Sequence, residues 1–527
     1  MILAIDQGTT GTTCFVFDER AEPIGRAQRE LTQHFPQPGW VEHDAREIWS
    51  VTQAVAGEAL QDAGVRPGEL AAVGIANQRE TVCVWDRASG EPLHNAIVWQ
   101  DRRTAARCEE LRAAGHEALI RERTGLVLDP YFSATKIAWL LENVDGLRER
   151  ADDGTAVFGT IDSWLIFKLT GEHVTDATNA SRTLLYEIAA GRWDPELLEL
   201  FDVPIGSLPE VRPSAGILGE TRPAALHGHA VPIAGAAGDQ QAALFGQACV
   251  DPGMAKATFG TGSFVLLHSG FTVPEPGAGL LATVASQIES PPTPSAPAFD
   301  APLPASPTFG SATPARGSAT PAAGLAYALE ASIFVTGAAV QWLRDELRII
   351  ERAEDTATLA ASLHSNDGVY FVPALTGLGS PHWDPHARGT IVGLTRGAGR
   401  AHLARATLEA IAYQTLDAVR AMQDATAHPL SELRADGGAS ANGWLMQFQA
   451  DVLGTPVVLG ESTETTALGV AYLAGVGVGM WTVADVRDSW REGARYEPRM
   501  SEDERATLLA GWADALERAR NFPGRST

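Results

Sequence analysis

Two short stretches rich in glycine and threonine, each between apolar runs, constrain the fold more than any other feature. The first, DQGTTGTT at 6–13, separates the apolar runs 2–5 and 14–17. The second, FGTGSF at 259–264, has a similar composition and a similar setting. Each pattern predicts a strand, a polar turn and a second strand. We therefore expect two α/β halves, each beginning with such a hairpin, with a cleft between them and a boundary near 248–252.

The turn at 6–13 has the chemistry of an anion site. Glycines let backbone N–H groups approach a phosphate closely, and threonine hydroxyls add donors. Asp6 in the same turn is a candidate metal ligand. An ordinary polar surface turn has the same composition, so this stretch alone leaves both interpretations open.

Composition excludes several classes of protein. A chain of 527 residues is too long for one core, and its net charge of −25 argues against nucleic acid or an anionic membrane as a partner. The N-terminus enters a strand at once, and the apolar stretch 467–481 is too short and too rich in glycine to span a bilayer. Scattered cysteines without metal spacing predict buried free thiols in a cytoplasmic protein: Cys14, Cys83, Cys108 and Cys249.

Short apolar runs alternate with amphipathic segments along the chain, which indicates an α/β fold. Residues 42–64 predict a helix capped by Asp44, with Glu47 completing a capping box. A third glycine-rich element, at 433–454, predicts a strand, a Gly-Gly turn and a helix that ends at Gly454. A glycine turn ahead of a helix suits a nucleotide, although plain tight turns of this kind are common.

One tract breaks this alternation. Residues 290–324 contain nine of the 31 prolines and almost no charge. Such a composition cannot build a packed core, so we expect a disordered insert between two apolar strands.

Two polar clusters follow predicted strands. Arg79 and Glu80 come directly after the buried run at 70–78, and Asp239 and Gln240 lie between an apolar run and a helix. A carboxylate in such a place is either a general base for a hydroxyl or a helix N-cap.

The chain resembles the FGGY family of carbohydrate kinases almost from end to end, apart from the proline-rich tract. The resemblance is carried by blocks that include DQGTT, ANQRET, NAIVWQDRRT, TGLVLDPYFSATK, TDATNASRT, AGDQQAALFGQ, FGTGSF, GLGSPHWDPHARG and DGGASAN. It implies two actin-like (ribonuclease H-like) α/β domains with a catalytic cleft between them. The implied N-terminal domain, 1–248, holds the polyol site and first phosphate hairpin, and the C-terminal domain, 249–527, holds the nucleotide site.

The blocks are similar to those of the glycerol-phosphorylating branch, so the resemblance implies ATP-dependent phosphorylation of glycerol to sn-glycerol 3-phosphate by a homo-oligomer. It implies that Asp239 is the catalytic base and that Asp6 helps to position Mg²⁺. The implied substrate-binding residues are Arg79, Glu80, Trp99, Tyr131, Asp239, Gln240 and Phe264. The implied nucleotide-binding residues are Thr9, Thr10, Gly11, Thr261, Gly337, Gln341, Gly438 and Asn442.

Two departures from the family pattern leave alternatives open. Thr13 stands where family members commonly have an arginine near the γ-phosphate, and 223–232 does not match the loop at which some relatives bind a sugar bisphosphate inhibitor. One alternative is a kinase for another small polyol or sugar. The other is a weakly active sensor of polyol and nucleotide, which the retention of Asp6 and Asp239 argues against.

Overall fold

The computed structural model describes residues 1–277, 279–289, 324–426 and 428–520. The proline-rich tract lies outside these residues except for Gly324. The prediction of a disordered insert at 290–324 therefore concerns residues outside the described ranges. The strands are β1 (Ile2–Gln7), β2 (Gly11–Phe17), β3 (Pro23–Glu30), β4 (Glu42–His43), β5 (Ala72–Asn77), β6 (Cys83–Asp86), β7 (Ala96–Ile97), β8 (Ala156–Gly159), β9 (Val174–Asp176), β10 (Tyr186–Glu187), β11 (Arg192–Trp193), β12 (Glu210–Arg212), β13 (Ala215–Glu220), β14 (Pro232–Gly238), β15 (Ala255–Phe259), β16 (Ser263–Gly270), β17 (Leu281–Gln287), β18 (Leu325–Ile333), β19 (Tyr370–Val372), β20 (Thr390–Val392), β21 (Leu433–Asp436), β22 (Val457–Gly460) and β23 (Glu492–Tyr496).

Helices cover both sheets and fill the connections. They are α1 (Ala45–Ala63), α2 (Ala105–Ala113), α3 (Glu117–Thr124), α4 (Ser133–Asn143), α5 (Leu147–Asp152), α6 (Ile161–Thr170), α7 (Ala177–Ala180), α8 (Pro195–Leu200), α9 (Asp239–Gly246), α10 (Gly337–Asp345), α11 (Asp355–Ala361), α12 (Arg400–Ala425), α13 (Gly443–Leu453), α14 (Thr465–Gly477), α15 (Val483–Ser489) and α16 (Glu502–Arg520).

The first sheet has the strand order β13-β14-β5-β1-β2-β3. Strands β1, β2 and β3 form an antiparallel meander, and β5 runs parallel to β1. Close approach of β3 requires glycine at the start of β2, because a Cβ on Gly11 would lie 2.6 Å from the carbonyl oxygen of Arg29. The first predicted hairpin is therefore confirmed, and one of its glycines serves strand packing.

The second sheet, β17-β18-β16-β15-β21-β22-β23, repeats this plan. Its first strand, β15, pairs antiparallel with β16 and parallel with β21, as β1 pairs with β2 and β5. Beyond the two parallel strands, each sheet has an antiparallel edge strand, β13 in one and β23 in the other. The second predicted hairpin and the predicted α/β class are confirmed.

Helices α9 and α14 join the two sheets. Helix α14 comes late in the chain but packs against β1, β5 and β14 of the first sheet and against α9. The two helices touch through glycine: a Cβ on Gly246 would lie 1.9 Å from the carbonyl oxygen of Thr465, and one on Gly469 would lie 1.8 Å from that of Ala242. In the described ranges no helix is long and apolar enough to cross a membrane.

The predicted first helix begins later than expected. Residues 42 and 43 form β4, and α1 begins at Ala45 with Asp44 as its N-cap, whose side chain accepts a hydrogen bond from Arg46 N. The predicted capping box was wrong, because Glu47 accepts hydrogen bonds from the backbone and hydroxyl of Thr32 instead. The helix after the Gly-Gly turn is confirmed as α13, which ends at Gly454 in the left-handed conformation. All four cysteines are free and buried, as predicted.

The strands on either side of the proline-rich tract are also as predicted. Strands β17 and β18 are antiparallel neighbours, and Gln287 at the end of one pairs with Leu325 at the start of the other. The two chain positions that flank the tract are thus already held together by the sheet.

Candidate functional site

Two buried charges lie just beyond the end of β5. Arg79 and Glu80 are 3% and 1% exposed, and Arg79 Nε lies 3.9 Å from Glu80 Oε1. Glu80 has a φ of 63°, a left-handed conformation that a non-glycine residue rarely adopts. Such strain occurs mainly at functional sites, where the surrounding structure holds the backbone in place.

Asp239 lies beside Arg79 at the start of α9. Gly238 is the N-cap, so Asp239 is the first helical residue and not the cap. Its side chain is 31% exposed, and Oδ1 lies 3.3 Å from Arg79 Nε. Gly238 gives Arg79 room, because a Cβ there would lie 2.6 Å from the arginine side chain. A carboxylate so placed is accessible to a bound hydroxyl and can accept its proton.

Aromatic rings surround the same guanidinium. Arg79 Nη2 donates a hydrogen bond of 3.5 Å to Tyr131 Oη, and the guanidinium carbon lies 5.6 Å from the centre of the Phe264 ring. Trp99 meets Tyr131 edge to face at 5.5 Å and donates from Nε1 to Thr9 Oγ1 at 2.9 Å. Charged donors beside aromatic faces suit a small ligand that has both hydroxyls and a carbon chain.

A group of carboxylates lies where β1 ends. Burial, followed by the charges of Asp239 and Glu464, raises the pKa of Asp6 from 3.8 to about 7. Thr13 is the direct cross-strand partner of Asp6 in the hairpin, so both side chains are on one face of the sheet. This clustering of negative charge favours a cation at this end of the strand.

A buried lysine connects α9 to the second sheet. Lys256 Nζ donates to Gln240 Oε1 at 2.5 Å and to Thr258 Oγ1 at 2.8 Å. Burial lowers its pKa to about 8, while the charges of Asp436 and Asp239 oppose that shift. The lysine therefore brings positive charge to a part of the site where carboxylates predominate.

The first predicted phosphate turn projects from β1 and β2. Its backbone is held by a hydrogen bond from Gly8 N to Gly11 O and by one from Leu31 N to Thr10 O. The side chain of Thr10 is exposed and that of Thr9 accepts from Trp99. The turn thus stands beside the aromatic pocket.

The second predicted phosphate turn meets α10. Thr261 is exposed at the tip of the β15–β16 hairpin, and its carbonyl accepts hydrogen bonds from Thr336 N and Ala338 N. Gly337 N donates to Gly260 O at 3.0 Å, and a Cβ on Gly337 would lie 2.5 Å from that oxygen. Glycine at 337 therefore allows the helix N-terminus to reach the turn.

The remaining predicted nucleotide residues lie around that turn. Gln341 is exposed on α10, and Gly438 is exposed in a short 3₁₀ helix, Gly438–Ala441. Asn442 is the N-cap of α13, where its side chain accepts from Leu445 N. The structure thus places the predicted residues in a charged, aromatic group around Arg79 and in a glycine-rich group of turns. Lys256 links Gln240 of the first group to Thr258, which lies in β15 just before the second turn.

Three charged residues of the site were missed by sequence reasoning. Arg182 and Glu330 are fully buried and contact Arg79 or Glu80, and Lys256 is fully buried against Gln240. Lys256 and Glu330 each left a signal in the sequence, a lone charge inside a buried apolar strand, which demands a partner elsewhere. Arg182 lies in the polar stretch TDATNASRT and gave no such signal.

The two sheets share the same arrangement of strands and are joined through α9 and α14. This architecture defines the actin-like ATPase fold. Within this class, the chain belongs to the FGGY family of carbohydrate kinases: the family's N-terminal domain matches residues 1–246 and its C-terminal domain matches 298–478.

Curated relatives match along the whole chain. A protein of Deinococcus radiodurans named glycerol kinase is 53% identical over 99% of this chain and 98% of its own length. One of Halorhodospira halophila with the same name is 52% identical over 100% and 97%. Among solved structures, Plasmodium falciparum glycerol kinase with ADP has a TM-score of 0.88 and 34% identity, with 98% of both chains covered.

Proposed function

We propose that this protein transfers the γ-phosphoryl group of ATP to glycerol and forms sn-glycerol 3-phosphate. The observation that carries the proposal is the pocket in which Arg79, Glu80 and Asp239 lie beside Trp99 and Tyr131. Glycerol has three hydroxyls on three carbons, and it offers both the polar and the apolar contacts that this pocket requires. The full-length similarity to proteins named glycerol kinase supports the same substrate.

In the proposed reaction, a terminal hydroxyl of glycerol attacks the γ-phosphorus while the bond to the β,γ-bridging oxygen breaks. Asp239 accepts the hydroxyl proton, and ADP leaves. Arg79, Glu80 and Gln240 hold the hydroxyls, and the rings of Trp99 and Phe264 pack on the carbon chain. Because phosphoryl transfer depends mainly on alignment and charge stabilisation, such positioning accounts for most of what the protein must supply.

The nucleotide is proposed to lie along the glycine-rich group. Backbone N–H groups and hydroxyls of both turns would follow the phosphates, and α10 and the start of α13 would hold the rest of ATP. The proposed contacts are Thr9, Thr10, Gly11, Thr261, Gly337, Gln341, Gly438 and Asn442.

Mg²⁺ is proposed to bind with the phosphates beside Asp6. Among the described residues no group of three or more His, Cys, Asp or Glu side chains forms a metal site. Burial and the nearby charges of Asp239 and Glu464, which raise the pKa of Asp6, nevertheless suit a hard cation held by one carboxylate, waters and the substrate's own phosphates. When bound, the ion would neutralise charge on the transferring phosphate.

Three further proposals concern the domains, the location and the assembly of the protein. We propose domains at 1–248 and 249–527, since each range contains one of the two sheets. A cytoplasmic location accords with four free buried thiols. We also propose a homo-oligomer, a dimer or tetramer, on the basis of the family resemblance.

The test is ATP turnover by the purified protein with glycerol, dihydroxyacetone, glyceraldehyde and a panel of sugars, followed through coupled detection of ADP. We expect the highest kcat/KM with glycerol. A higher kcat/KM with another polyol or sugar would reassign the substrate, and an absence of turnover with every acceptor would favour the sensor.

A further inference from the structure

Glu330 joins two arginines in the interior of the protein. It lies within β18 of the second sheet and is fully buried. Its Oε2 accepts from Arg79 Nη1 at 2.5 Å, and its Oε1 accepts from Arg79 Nη2 at 3.1 Å. The same Oε1 accepts from Arg182 Nη2 at 3.0 Å. One carboxylate therefore fixes two guanidiniums, one of them through a two-point contact that sets its plane.

Arg182 extends this network to the second pocket charge. It is fully buried and donates from Nε to Glu80 Oε1 at 2.7 Å. The side chains thus form a continuous series from Arg79 through Glu330 and Arg182 to Glu80. Arg79 and Glu80 are the members beside Asp239 and Tyr131, and the other two connect them from behind.

The charges explain why the carboxylate is needed. Arg79 and Arg182 are two like charges in a buried region, and neither has bulk water to screen it. Burial alone would raise the pKa of Glu330, but the two arginines hold it at about 2, so the side chain is ionised at neutral pH. Removal of this charge would leave the guanidiniums to repel each other, and each has other partners toward which it can turn.

We propose that Glu330 and Arg182 are positioning residues that hold Arg79 and Glu80 in the geometry required to bind glycerol. The inference rests on the proposed function, because it takes Arg79 and Glu80 as the groups that bind the polyol. It adds a contribution of the second sheet to the geometry of Arg79 and Glu80, which both come from the first half of the chain.

The test is the Glu330→Gln variant, which keeps the shape and removes the charge. Either orientation of the amide places an NH₂ group against Arg79, which loses one of its two acceptors, and the orientation that puts NH₂ in place of Oε1 also removes the acceptor of Arg182. We expect the KM for glycerol to rise by about tenfold or more, while the KM for ATP changes by less than about twofold. Glycerol binding measured by calorimetry without nucleotide should weaken to the same degree.

A matched control is Glu409→Gln in α12. Glu409 is also buried and ion-paired, with Arg405 Nε 2.7 Å from its Oε1, but it belongs to the core beneath the second sheet. Its loss should lower stability without a selective change in the KM for glycerol. Two outcomes would reduce Glu330 to a structural role and overturn the inference. One is an equal change in the KM for glycerol and the KM for ATP in Glu330→Gln, and the other is a selective rise in the KM for glycerol in Glu409→Gln.

A double variant tests whether the effect passes through Arg79. In the Arg79→Ala background, Glu330→Gln should add far less to the KM for glycerol than it does alone, because the group that it positions is absent. Full additivity would contradict the inference. If Glu330→Gln fails to fold, Glu330→Asp keeps the charge with a shorter reach, and a selective rise in the KM for glycerol is again expected; an unchanged KM would overturn the inference.

The two proposals fail in different ways. If the unmodified protein does not phosphorylate glycerol, the proposed function fails. If it does, and Arg79→Ala raises the KM for glycerol while Glu330→Gln leaves it unchanged, only the positioning role fails.

Discussion

Replacement of Asp6 by asparagine is expected to stabilise the protein above neutral pH while it removes activity. The pKa of Asp6 is raised from 3.8 to about 7 by burial, Asp239 and Glu464. Between these two values the folded state binds a proton that the unfolded state releases. The free energy of unfolding contributed by Asp6 therefore falls as pH rises through this window and is constant above it.

The size of the effect follows from the shift. Roughly three pKa units at about 1.4 kcal/mol each set an upper limit of ~4 kcal/mol. The Asp6 residue is only partly buried, and screening by the solvent that reaches it reduces this to about 2 kcal/mol. Asparagine has no such proton equilibrium. Relative to the unmodified protein, Asp6→Asn should gain about 2 kcal/mol of stability between pH 4 and pH 8.

The assay is chemical unfolding followed by tryptophan fluorescence at pH 4, 6 and 8, without nucleotide or Mg²⁺. Asp153→Asn is a control of opposite sign, because hydrogen bonds from the side chain and backbone of Thr155 lower the pKa of Asp153. That variant should lose stability at pH 8. If Asp6→Asn follows the unmodified protein at every pH, the pKa of Asp6 is not raised by burial and the neighbouring carboxylates. If it keeps full ATP turnover, Asp6 has no role at the metal.

Four further changes test the rest of the site. Asp239→Asn should leave binding of glycerol and ATP largely intact and lower kcat by about 10²- to 10⁴-fold; an unchanged kcat in steady-state assays would remove Asp239 from its role as base. Arg79→Ala should raise the KM for glycerol far more than that for ATP, and the reverse order would move the polyol site elsewhere. Thr13→Arg should maintain or raise kcat, since Thr13 shares a face with Asp6 and a new donor there would meet the phosphate. A fall in both kcat and the melting temperature would show that the larger side chain is not accommodated. Replacement of 290–322 by a short Gly/Ser turn should leave kcat within about threefold of that of the unmodified protein, because β17 and β18 already pair at the flanks. A tenfold fall in kcat would show that the tract contributes to function.

Local patterns in the sequence were sufficient to find both hairpins and the charged candidates that follow two of the strands. The shared face of Asp6 and Thr13, by contrast, follows from the register in which β1 pairs with β2 in the folded hairpin. Arg79 and Asp239 were found because a charge directly after a buried apolar strand lies at the edge of a sheet, where a ligand can reach it. Glu47 shows the limit of such reasoning. The capping-box spacing is present, but the Glu47 carboxylate accepts hydrogen bonds from Thr32, which lies in another segment.

The sequence by itself determined the two Gly/Thr hairpins, the α/β class and the charged residues at the strand ends, because these depend on short-range periodicity and turn chemistry. Only the tertiary structure decided that Glu330 meets Arg79, 251 residues away, and that α14 packs on the first sheet. A lone carboxylate in an apolar strand indicates that a cationic partner is needed. The sequence does not distinguish among the arginines of the chain as candidates for that partner. The partner is chosen by which buried faces pack together, and that choice depends on the whole fold.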